Sequence, residues 1–189
     1  MRRLPLFLVI LRAALAPVLV LLALFYPSGV AFGACLVAAL LSDYFDGVIA
    51  RRLGVATVAL RRMDSAADSL FYLAAAFAVW HLQPEAILDR QGALMLLAGL
   101  ELARYVLDLA KFGREASYHM WSSKLWGLFL FAGFMSLLAF GADSIFASLM
   151  VYIGIVADLE GIAISLALRR WQADVPSFVH AVRLRAQRD

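Results

Sequence analysis

Apolar stretches at roughly residues 4–26, 29–49, 65–82, 92–110, 121–141 and 145–168 succeed one another along a chain of 189 residues. Each approaches the ~20 residues that a helix needs to cross a bilayer. The fold class this implies is all-α, a polytopic membrane protein with about six transmembrane helices. Composition agrees, because 64% hydrophobic and 16% charged residues stand far from the roughly 45–50% and ~25% of soluble domains. The spans leave no length for a separate soluble domain. Residues 1–189 are therefore read as one integral-membrane domain, with residues 169–189 a basic cytoplasmic tail.

The formal charge of +3 and pI near 9.3 do not imply nucleic acid, since most of the arginines border apolar stretches and serve there as topology signals. Arg2 and Arg3 precede the first span, and Arg51, Arg52, Arg61 and Arg62 separate the second from the third. Lys111, Arg114 and Lys124 flank the connection between the fourth and fifth, and Arg169, Arg170, Arg183, Arg185 and Arg188 follow the last. Arg90 falls in a connection on the other side. Basic residues near span ends stay in the cytoplasm, so both termini are expected there. The location expected is a bacterial-type inner or plasma membrane.

Met1-Arg2-Arg3 and the apolar run behind it resemble a signal peptide, but Arg12 interrupts that run and hydrophobicity continues through Phe25, as in a retained span. Cys35 is the single cysteine, so no internal disulfide forms. Gly29 and Gly33 have a GxxxG spacing suited to close helix packing. The tail mixes Trp171, Phe178, Val179 and Val182 with arginines, a composition open both to lying on an anionic leaflet and to plain solvation.

Ionisable residues inside spans cost about 2.5–3.5 kcal/mol each on insertion scales, so they need a partner or a purpose. The second span ends with Asp43 and Asp46, and the third opens with Asp64 and Asp68. Spacings of three and four put each pair on one helix face. With the second helix running inward and the third outward, all four meet in the cytoplasmic leaflet. Four carboxylates in a partly desolvated place repel unless cations neutralise them, and all-oxygen ligation suits Mg²⁺, Mn²⁺ or Ca²⁺. The stretch lacks His and Cys, which argues against zinc. Gly47 and Ala50 are small enough for a ligand to approach closely, and Arg51 offers a bidentate contact to phosphate. Carboxylates, hard metals and a guanidinium together suit phosphoryl transfer.

The run Asp43-x2-Asp46-Gly47-x2-Ala50-Arg51-x12-Asp64-x3-Asp68 resembles the signature of the CDP-alcohol phosphatidyltransferases, DxxDGxxARx8GxxxDxxxD. The departure is Leu60, which stands where the family has glycine and bears on the nucleotide pocket more than on metal binding. Arg12 and Pro17 are spaced as in many members' first helix.

The resemblance implies transfer of a phosphatidyl group from CDP-diacylglycerol to a small alcohol, releasing CMP in phospholipid biosynthesis at the cytoplasmic membrane face. By resemblance, Asp43, Asp46, Asp64 and Asp68 would hold two divalent cations, Mg²⁺ or Mn²⁺, and Asp68 would also be the catalytic base. Gly47, Ala50, Arg51 and Thr57 would line the CDP moiety. Family likeness also implies a homodimer, with membrane lipids and no nucleic acid as partners.

Acceptor identity is expected to reside in later polar groups. Glu101, Arg104 and Asp108 share one helix face and read equally as a mutual ion pair or as pocket residues. Lys111, Arg114 and Lys124, with Ser122 and Ser123 nearby, suit an acceptor phosphate as well as topology. Arg104, Lys111, Arg114 and Lys124 are the acceptor-binding candidates; His119 receives no chemistry, and Asp158 and Glu160 in the last span are left open between orienting cations and relaying protons. Glycerol 3-phosphate is the preferred acceptor by analogy with compact members, and inositol or its phosphate the second. Outside the enzyme class, a small cation transporter would spread acidic groups along a path instead of gathering them beside Arg51. Leu60 keeps an inactive binding relative in view.

Overall fold

A computed structural model describes residues 4–52 and 57–186, with the side chains of Ala50, Arg51, Val58, Ala59 and Arg61 outside the description. The described residues form helices α1 (Leu4–Phe25), α2 (Gly29–Arg52), α3 (Val58–Leu82), α4 (Pro84–Leu88), α5 (Gln91–Phe112), α6 (Trp121–Phe134), α7 (Ile145–Ala167) and α8 (Phe178–Ala186). A π-helical segment, Met135–Ala139, follows α6. All-helical architecture is what a chain needs when lipid offers its backbone no hydrogen bonds. Large apolar side chains face outward throughout, Val30 at 85% and Met95 at 74% exposure among them, as suits a surface solvated by acyl chains.

Among the described residues, four segments are long and apolar enough to cross a membrane: Leu4–Phe25, Gly29–Ile49, Trp121–Ala139 and Ile145–Ala167. The sequence reading has six. The other two long helices, α3 and α5, contain 25 and 22 residues. At about 1.5 Å per residue they have the length, but α3 carries Asp64 and Asp68, and α5 carries Glu101, Arg104, Asp108 and Lys111. Helix α3 also starts seven residues before the expected 65, because Thr57 accepts a hydrogen bond from the Leu60 amide at 3.2 Å and caps a polar first turn ahead of the apolar part.

The chain divides into two compact units, the first made of Met1–Ile87 and Phe134–Asp143, the second of Leu88–Gly133 and Ser144–Asp189. In the first, α1 packs on both α2 and α3, and the π-helical segment packs on α2. The glycine pair of α2 is the seat for that segment. A Cβ on Gly29 would collide with the backbone carbonyl of Ala139, and one on Gly33 would lie 3.4 Å from the Ala139 Cβ. Gln83, which ends α3, donates its side-chain amide to the Leu137 carbonyl at 2.7 Å and so satisfies a group of the π turn. Gly29→Ala is therefore expected to destabilise the protein by about 1–3 kcal/mol, since backbone cannot swing aside. A thermal melt in detergent checks this, and an unshifted transition refutes the close packing.

In the second unit, contacts step in the same direction along α5 and α7, from Arg90–Ser148 to Arg104–Asp158 and Lys111–Ser165. These helices run parallel. Helix α6 opposes α7, with Ser122 on Glu160 and Trp126 on the Met150 carbonyl. The tail folds back: Val175 and Ala181, 1% and 0% exposed, join Tyr118, Met120, Ile164 and Leu168 in one apolar cluster. Part of the tail is thus packed on protein, while Phe178, Val179 and Val182 remain exposed.

Candidate active site

Helix geometry brings the four aspartates to one place in the first unit. Asp43 and Asp46 lie in the last turns of α2, Asp64 and Asp68 near the start of α3, and the centre between them is filled from α1. Arg12, 1% exposed, reaches every one of them. Its Nη2 donates to Asp46 Oδ2 at 2.5 Å, and its Nη1 to Asp64 Oδ1 at 2.9 Å and to Asp68 Oδ1. Asp43 Oδ1 stands 3.3 Å from the same Nη1. The Nε donates to Ser42 Oγ at 3.4 Å, while Ser42 donates its proton to the Ala39 carbonyl at 2.8 Å. The planar fork of arginine suits such a role better than an ammonium, because its donors diverge at fixed angles.

The aspartates differ in access. The side chain of Asp46 is 6% exposed and faces the guanidinium, whereas those of Asp43, Asp64 and Asp68 are 51%, 33% and 36% exposed. These three offer oxygens that all lie within 4.8 Å of one another. Once Arg12 is counted, four ionised carboxylates still leave three formal negative charges. At such separations each like-charge pair costs on the order of 3 kcal/mol for an effective dielectric near 20. Hard oxygen donors, close spacing and surplus negative charge make a donor set that fits a divalent cation.

Arg12, which the sequence reading matched to the family's first helix without giving it a role, is the residue at the centre of the cluster. Its signal was present, because a guanidinium within an apolar helix has to find anions, and the aspartate pairs are the nearest dense supply. Of the residues associated with CDP, Gly47 adjoins Asp46 on α2 and Thr57 caps α3. Ala50 and Arg51 belong to the last turn of α2, and their side chains lie outside the described residues.

The acceptor candidates lie in the second unit, each already engaged there. Arg104 Nη1 meets the fully buried Asp158 Oδ1 of α7 at 2.8 Å, in place of an ion pair along its own helix. Lys111 donates to the carbonyls of Ser165 and Leu166 at 2.8 and 3.0 Å, closing the C-terminal end of α7. Arg114 lies over the Trp171 ring at 4.7 Å and Lys124 over the Trp121 ring at 4.4 Å. Asp108, 2% exposed, accepts from Ser165 Oγ at 2.5 Å, and the Tyr118 hydroxyl pairs with the same Oγ at 2.9 Å. Burial pushes the Tyr118 pKa above its ordinary value, against the pull of that hydrogen bond. Glu160 accepts from Ser122 at 2.5 Å and from the Phe178 amide at the start of α8. His119 stands 3.4 Å from Asp174, and both residues adopt positive φ.

No curated protein and no solved structure matches the chain at a significant level. The family model for CDP-alcohol phosphatidyltransferase matches residues 2–168, a range that takes in α1 with Arg12, both aspartate pairs and the helices through α7. The chain therefore belongs to the CDP-alcohol phosphatidyltransferase family, membrane-embedded transferases of phospholipid synthesis.

Proposed function

We propose that the protein transfers a phosphatidyl group from CDP-diacylglycerol to glycerol 3-phosphate at the cytoplasmic face of a bacterial-type inner or plasma membrane. The observation that carries the reading is the gathering of four aspartates around Arg12, with three of them open and within 4.8 Å of one another. In this reading residues 1–189 act as one catalytic domain with a basic tail, six helices cross the membrane, both termini are cytoplasmic and the enzyme is a homodimer. The parallel course of α5 and α7 with α6 opposed to both supports the up-and-down layout.

Asp43, Asp46, Asp64 and Asp68 are the residues that would hold two divalent cations, Mg²⁺ or Mn²⁺. Such ions, when bound, offset the carboxylate charge and stabilise the charge developing on departing CMP. Gly47, Ala50, Arg51 and Thr57 bind the CDP moiety, the small residues by admitting it close to the helix and Arg51 by holding phosphate oxygens. Asp68, on the open side of the cluster, takes the proton of the acceptor hydroxyl. That oxygen bonds to the phosphorus bearing diacylglycerol, the P–O bond to CMP breaks, and CMP leaves with the electron pair. A phosphate-bearing acceptor suits the cations of the second unit, Arg104, Lys111, Arg114 and Lys124, and compact members of the family supply the analogy for glycerol 3-phosphate.

The test is purified protein with CDP-diacylglycerol, Mg²⁺ or Mn²⁺ and a panel of labelled alcohols. CMP release is expected with glycerol 3-phosphate, and chelation by EDTA is expected to remove it. Release with another alcohol replaces the acceptor, and release with none of them overturns the enzymatic reading.

A further inference from the structure

A cleft of about 300 Å³ opens in the second unit just beyond the end of α7, lined by Leu168, Arg169, Arg170, Gln172, Leu184 and Arg185. Its two kinds of lining residue have different origins. Leu168, 4% exposed, belongs to the apolar cluster that holds the tail, and Leu184 packs against the same cluster. They form an anchored apolar floor. The arginines and Gln172 form a rim of donors suited to phosphate oxygens.

Helix α8 adds a second observation. It has nine residues, too few to persist alone, and it stands because Ala181 and Leu184 dock inward. At helical spacing its outward side presents Phe178, Val179 and Val182, which are 42%, 56% and 44% exposed. Arg185 and Arg183 fall on either side of this stripe. An apolar stripe edged with arginine is the pattern of a helix resting in the headgroup layer. Its position agrees, because Ile145–Ala167 is long and apolar enough to cross the bilayer, and the cleft begins at the next residue. Trp171, between Arg170 and Gln172, is the residue type favoured at that depth.

We propose that this cleft binds the phosphate of an anionic phospholipid, whose acyl chains lie along the Phe178–Val182 stripe. A phosphate group is the shared chemistry of a lipid headgroup and a free anion. The apolar floor and stripe decide for the lipid, since a soluble anion uses neither. The site shares no residue with the aspartate cluster and goes beyond the proposed reaction.

The experiment is native mass spectrometry of the full chain in detergent, titrated with phosphatidylglycerol, phosphatidylcholine or inorganic phosphate. Phosphatidylglycerol is expected to bind in preference to phosphatidylcholine. Arg170→Gln with Arg185→Gln is expected to weaken that binding by about fivefold for each arginine removed, with the melting temperature showing that the double variant remains folded. Equal affinity for the two lipids overturns the proposal, as does an unchanged affinity in the variant. Displacement of the lipid by inorganic phosphate at comparable concentration overturns the lipid assignment and leaves a free-anion site. If the double variant fails to fold, the wild-type lipid comparison and the phosphate arm still decide. Lipid binding is read directly, so failure of the acceptor panel leaves this result standing.

Discussion

Asp68→Asn is expected to lower CMP release by at least roughly a thousandfold, because it removes the proposed base, worth about 10²–10⁴ in rate, and weakens a proposed metal ligand in the same step. The substitution preserves shape and retains one oxygen donor. Binding of Mn²⁺ and of the CDP-lipid should therefore survive in part, and that separation is the informative result. Asp43→Asn and Asp64→Asn are expected to act differently, by weakening cation binding itself, so that raising the metal concentration recovers turnover. Steady-state CMP release together with Mn²⁺ binding followed by electron paramagnetic resonance distinguishes the cases. Near-normal turnover in Asp68→Asn removes that residue from the proton-accepting role.

The second large effect is expected at Arg12. Methionine fills a similar volume without donors, and it leaves Asp46 buried beside three other carboxylates with no guanidinium between them. Removing one partner of a buried ion pair costs about 3–5 kcal/mol, which corresponds to a fall of roughly 10 °C in melting temperature for a chain of this length. The loss is expected to be greatest in EDTA and smaller with millimolar Mg²⁺, since a bound cation offsets the same repulsion. Arg12→Lys should recover part of the stability, because an ammonium keeps the charge but not the fork that spans two helices. An Arg12→Met protein that melts like wild type in EDTA contradicts a central role for the guanidinium.

The aspartate pairs were legible in the sequence because three- and four-residue spacing is a property of one helix, and because neighbouring helices that reverse direction bring adjoining ends together. The pairing of Arg12 with them was not, since its partners lie 30 to 56 positions away and helix periodicity carries no information about which face of α1 meets them. The apolar stretches located the long helices well. They misjudged the start of α3, where Thr57 caps a turn too polar for hydropathy to find, and α3 and α5 carry charges that engage protein partners, so composition alone does not mark those two helices as crossing. The GxxxG spacing of Gly29 and Gly33 pointed to close packing but not to its partner, since a π turn depends on which carbonyl each amide selects. In the tail, Val175 and Ala181 are ordinary small apolar residues among arginines, and nothing local marks them as the ones that dock. The acceptor candidates show the same limit: composition grouped the cations, while the carboxylate, the carbonyls and the Trp171 ring that engage Arg104, Lys111 and Arg114 come from distant segments, and the Trp121 ring under Lys124 is local.

The bond between Arg12 and Asp68 spans 56 positions, and this has a consequence for how the protein is made. At roughly 5–20 residues per second, several seconds of synthesis separate the emergence of the arginine from that of its last acidic partner. Until Asp43 and Asp46 follow on α2, α1 stands at the bilayer with an uncompensated cation, an arrangement costing about 2.5–3.5 kcal/mol on insertion scales. The helix that anchors the site is thus a poorly retained guest until its first acidic neighbour arrives, and the stage of biogenesis most exposed to quality control comes before the second helix is complete.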